Sequence, residues 1–180
     1  VKPVESKVQA RAYRLAAATP QVESTVVNDH TSGTWGTSKW TIDTTNNILH
    51  IGEGTVTDTG VKVDANGDVT DWGALDWHNY KVIETPGEDS GLHLSIDGTV
   101  TMGADASYAF SSLRFDDDTD FMYVVTDDTT NMTGMFMESV KSRTSRVFSV
   151  KFITAKVTTM SHMFYNFFGA YNFLGLDDLA

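Results

Sequence analysis

The sequence predicts a β-rich α+β chain: an N-terminal β domain caps a short solenoid whose repeats each combine a strand with a short helical turn. Two observations carry this expectation. The run Asn131-Met132-Thr133-Gly134-Met135-Phe136 returns 28 residues later as Thr159-Met160-Ser161-His162-Met163-Phe164, and a weaker copy, Ala106-Ser107-Tyr108-Ala109-Phe110, ends 26 residues before Phe136. A period of this size marks units that bury their apolar faces only against their neighbours. Upstream, short alternating runs broken by Asn-Gly and Asp-Gly read as hairpins.

Residues 1–30 have no sustained period and contain Pro3 and Pro20, which reads as a leader or linker in preference to a short helix over Val8–Ala18. Residues 31–103 form the cap. There, Trp40–Asp43 and Ile48–Ile51 flank Thr44–Asn47, and Val61–Asp64 and Val69–Trp72 flank Asn66-Gly67, two hairpin signals. Leu92–Ile96, Asp97-Gly98 and Thr99–Met102 predict a third. Residues 104–180 form the solenoid, with strands over Phe121–Val125 and Val147–Phe152 and the start of another at Leu174-Gly175-Leu176. Met132, Met135 and Phe136 have the i, i+3, i+4 spacing of one helical face, as do Met160, Met163 and Phe164. Stacking then places Phe110, Phe136 and Phe164 in one column, the repeat spine. Thr and Asn at the corners satisfy turn backbone groups. The chain stops at Asp177–Ala180, where a further repeat is due, and reads as a fragment truncated at this end.

Composition narrows the function classes. A net charge of −11 offers no basic face for phosphates and argues against nucleic acid. No run approaches the ~18 apolar residues of a membrane span. With no cysteine, disulfides and thiolate metal sites are excluded. The five histidines are scattered, without a zinc-binding i, i+4 pair, and no nucleophile elbow or P-loop is present. His162 replaces Gly134 at the same repeat position and reads as surface. Asp64, Asn66, Asp68 and Asp71 place oxygen donors as a calcium loop does, but Val69 and Leu75 stand where an EF-hand needs Gly and Glu. A hairpin tip accounts for the same residues, and no metal or other cofactor is expected.

The runs Asp127–Phe136 and Phe152–Phe164 resemble the BspA-like leucine-rich repeats of bacterial surface proteins, also described as the mycoplasma- or Lactobacillus-type surface repeat. Gly33–Asp43 followed by Leu49–Thr55 resembles the β-rich segment that precedes such arrays. The strand positions Val147, Ser149 and Val150 depart from the family's leucines. The resemblance implies a secreted or wall-attached, non-catalytic adhesin of a Gram-positive bacterium that binds host matrix, mucin, surface glycan or other cells. It brings no catalytic residues. The basic cluster Lys141, Arg143, Arg146, Lys151 and Lys156 is the expected contact with acidic partner groups. An alternative is a carbohydrate-binding module of a larger secreted protein, with Trp72, Trp77 and Tyr80 as the sugar platform. The apolar run Met163–Leu174 is a self-association surface if no further repeat covers it.

Overall fold

The computed structural model describes residues 29–82, 91–141 and 147–169, together with the backbone of Asn172–Leu174. Its first elements are the predicted hairpin and one strand more. β1 (Ser32–Trp35), β2 (Ser38–Asp43) and β3 (Ile48–Ile51) pair antiparallel in sequence, with Asp43 opposite Ile48. β2 alternates buried Ser38, Trp40 and Ile42 with exposed Lys39 and Thr41, which sets its register, since a one-residue slip would expose the apolar set.

From β3 onward every main ladder is parallel, apart from one excursion. β3 is followed by β4 (Gly54–Thr55), β7 (His93–Ile96) by β8 (Val100–Thr101), and β9 (Arg114–Phe115) by β10 (Val124–Val125). The first members of these pairs stack parallel in the order β3-β7-β9 and continue to β11 (Val140–Lys141); the second members stack as β4-β8-β10. β12 (Val147–Ser149) pairs parallel with β13 (Asn172–Leu174). The chain therefore winds as a coil, and each turn of it lies on the next. One buried apolar cluster runs from Trp35 to Met163, across the boundary at residue 103 that the sequence suggested.

Two expectations are corrected here. Among the described residues strand makes up 33% and helix 3%, so the fold is all-β and not α+β with helical turns. Among the described residues the one helical element is a single 3-10 turn at Asp76–Asn79. The segments read as helical turns are runs of overlapping β-turns: Met135 N–H donates to Met132 O, Met137 N–H to Gly134 O and Ser139 N–H to Phe136 O. The intervening N–H groups of Met132, Gly134, Phe136 and Glu138 donate instead to Thr159, Ser161, Met163 and Tyr165 of the next coil, at 2.8–2.9 Å. With half of its donors spent between coils, the segment has no i→i−4 ladder, and a short stretch with Gly at its centre is a poor helix in any case. A chain of turns still brings residues i, i+3 and i+4 to one side, so Met132, Met135 and Phe136 are all fully buried. The second correction concerns β7 and β8. They are successive sides of one coil, with Asp97-Gly98 as a corner, because each finds its partner in the coils above and below.

The spine residues lie at equivalent places. Phe110 and Phe136 stack with ring centroids 5.8 Å apart, and Phe136 and Phe164 at 5.5 Å with planes 6° apart. Met163 is buried, and Met160 and Phe164 are half-buried on the last described coil. Asp105 and Asn131 open their turn runs by accepting from backbone N–H groups two residues on, and Asn131 also donates to Asp105 at 2.9 Å. At the other end Trp35, Trp40 and Trp77 pack edge to face at 5.5–5.7 Å and close the first coil.

The first coil also carries an excursion. The chain leaves it at Thr59 and returns at Ala74, whose N–H donates to Thr59 O at 2.8 Å. Between them β5 (Lys62–Val63) and β6 (Val69–Asp71) form an antiparallel hairpin. Its neck requires glycine at Gly73: φ is +57°, and a Cβ there would lie 2.2 Å from Thr59 O. Gly73→Ala is therefore expected to lower unfolding free energy by at least about 1 kcal/mol. The hairpin should also become the first segment cut by protease; urea denaturation and limited proteolysis read the two effects.

Candidate functional site

Of the basic cluster, Lys141 is not part of the surface. Lys141 is buried at 4% exposure, where its Nζ donates to Asp117 at 2.7 Å. A lysine is covered to this extent only with such a partner, so Lys141 ties β11 to the coil before it. Lys156 is ion-paired with Asp128 and its pKa is raised by that carboxylate. Lys151 is exposed, and Arg143 and Arg146 lie outside the described residues, as do residues 1–28, with Val8–Ala18 among them, and Ala170 and Tyr171 of the C-terminal run.

The aromatic platform is likewise displaced. Trp77 is fully buried and Tyr80 is 5% exposed, so both are core, which corrects their reading as ligand contacts. Trp72 is half-buried and spends its face on His78, stacked at 3.7 Å. The oxygen-rich tip at Asp64–Asp71 is held by its own backbone. Asp64 Oδ1 accepts from the N–H groups of Asn66 and Asp68 at 2.8 and 3.0 Å, which lowers its pKa. Asp71 pairs with Lys62 at 2.8 Å and is lowered by it. Among the described residues no three acidic or imidazole side chains converge as a metal site.

What the fold does assemble is a groove of about 420 Å³ between the hairpin tip and the stacked turns. The tip supplies Asn66–Asp68; the turns supply Tyr108, Met137, Glu138, His162, Tyr165 and Asn166. The turn residues fall in columns because the coils are in register. Tyr108, Gly134 and His162 share one left-handed position, at φ +58°, +61° and +58°, and Ser112, Glu138 and Asn166 share another, at +53°, +59° and +53°. Non-glycine residues are uncommon in this region. Here the coil-to-coil bonds donated by the N–H groups of Tyr108, Ser112, Gly134 and Glu138 hold the backbone in it. Gly134 must be glycine for a further reason, since the Tyr108 ring lies over it and a Cβ would stand 2.6 Å from that ring.

The groove is chemically mixed. Tyr165 is 54% exposed, with the His162 ring edge-on at 5.7 Å, and His162 Nδ1 meets Ser161 Oγ at 2.7 Å. Among the described residues the carboxylates of Asp68 and Glu138 and the amide of Asn166 are neither hydrogen-bonded nor ion-paired. Sequence reasoning touched Asn66, Asp68 and His162 for other reasons and missed Tyr108, Glu138, Tyr165 and Asn166. The available signal was the repeat position at which Tyr108, Gly134 and His162 differ while their flanks persist. No protein-family model, curated protein or solved structure matches the chain.

Proposed function

We propose that this chain is a non-catalytic recognition domain of a bacterial surface protein, secreted or held at the cell wall, that binds host matrix, mucus or other cells through its coiled face. The observation that supports this best is the in-register stack of turns. Inward positions repeat apolar residues, while the exposed position held in turn by Ser112, Glu138 and Asn166 changes from coil to coil. An invariant spine with a variable surface suits recognition, because contacts can diversify without disturbing the ladder. The likeness of Asp127–Phe136 and Phe152–Phe164 to bacterial surface repeats supports the same reading.

The test is adhesion of the purified chain to immobilised mucin, collagen and fibronectin and to intact epithelial cells. Saturable retention on at least one surface is expected, with no turnover of glycoside or peptide substrates. Retention on none of them, or measurable turnover, overturns the proposal.

A further inference from the structure

We infer that the groove under the hairpin tip is a carbohydrate site, and that it takes a neutral or amine-bearing sugar ring rather than an acidic one. This inference rests on the recognition reading and names the ligand class of one site. Its volume of about 420 Å³ falls within the ~300–1,000 Å³ of small-molecule sites. Tyr165 stands clear of the core and offers an aromatic face to the C–H side of a pyranose. Around it, Asp68, Glu138 and Asn166 present acceptors with no partner among the described residues, matching a ligand rich in hydroxyl donors.

Charge decides between sugars. The lining contains two carboxylates and no lysine or arginine, so a uronate or sulfate would meet like charge while an ammonium group would be attracted. A peptide strand cannot add at the coil of Gly134, Phe136 and Glu138, whose N–H groups already donate to the next coil. The walls are also fixed before binding: Glu138 N–H is held by Tyr165 O at 2.8 Å, and the tip by the Asp64 carboxylate. Little ordering cost is then left for the ligand to offset.

The experiment is calorimetric titration of the whole chain with three hexamers: β-linked glucosamine, its N-acetylated form, and galacturonic acid. Binding of the first two and not the third is expected. Tyr165→Ala and Glu138→Gln should each weaken it by about ten-fold without changing the melting temperature, since both side chains are exposed. Equal affinity in Tyr165→Ala, preference for the uronic acid, or no binding of any hexamer overturns the assignment. If the chain then still adheres to mucin or matrix, the groove assignment alone has failed; if it adheres to nothing, the recognition reading falls with it.

Discussion

Replacing Phe136 by alanine is expected to remove about 4 kcal/mol of unfolding free energy, the upper part of the range for deleting a buried aromatic ring. Phe136 is fully buried and touches rings on every side: Phe110 and Phe164 above and below, and Phe115, Phe121, Phe148 and Phe152 around it at 5.0–5.9 Å. Those six rings are carried by coils that hydrogen bonds hold in place, so they cannot collapse into the vacated space. Phe164, half-buried on the last described coil, provides the comparison. Phe164→Ala should cost about 1–2 kcal/mol, because its site is already open to water on one side. Urea denaturation of the two variants reads the difference. Equal losses would mean that the column is not a continuous core and that the coils are stabilised independently.

The same column marks how much of the fold was legible in the sequence. Two hexapeptides that share both Met and the Phe already give the coil-to-coil register: Asn131 bridges Thr159 in the structure, the same 28-residue offset that aligns the letters. The backbone between the anchors was not legible. Met132, Met135 and Phe136 have helical spacing, yet a helix and a run of β-turns both bring such residues to one side. What separates them is where the N–H groups go, and that depends on a coil 28 residues away. The parallel ladders were hidden for the same reason, since Leu92–Met102 carries the alternation and Asp-Gly corner of a hairpin although its partners are distant coils. Of the groove, local sequence revealed the hairpin tip but not that it overhangs Tyr108 and Tyr165. Lys141 misled for a related reason: its carboxylate partner, Asp117, lies 24 residues upstream.

Acidification from pH 7 to pH 5 is expected to destabilise the protein through His78, by up to about 2 kcal/mol, because each pH unit between the two pKa values is worth about 1.4 kcal/mol. His78 follows Trp77 in the 3-10 turn, with Trp72 stacked on one ring face. The residue as a whole is half-buried, but Nε2 is fully covered and has no hydrogen-bond partner. Burial without an acceptor disfavours the imidazolium and pushes the pKa down from 6.5 to about 3. The native state therefore stays neutral while the unfolded chain takes up a proton below pH 6.5. Stability falls as pH drops through that window, and the loss levels off near pH 3. His30 acts in the opposite sense: its hydrogen bond to Asp76 raises its pKa, so its stabilisation grows on acidification. The lowered carboxylates Asp43, Asp64, Asp71 and Asp76 contribute only as pH falls below the ordinary carboxylate range. His78→Phe, which keeps a flat ring for Trp72 to stack on, should flatten the dependence between pH 7 and 5, and His30→Gln should steepen it. Denaturant midpoints at pH 7, 6 and 5 for the three proteins provide the measurement. Parallel curves for wild type and His78→Phe would mean that Nε2 meets a proton acceptor or water in solution and that the imidazole is free to charge.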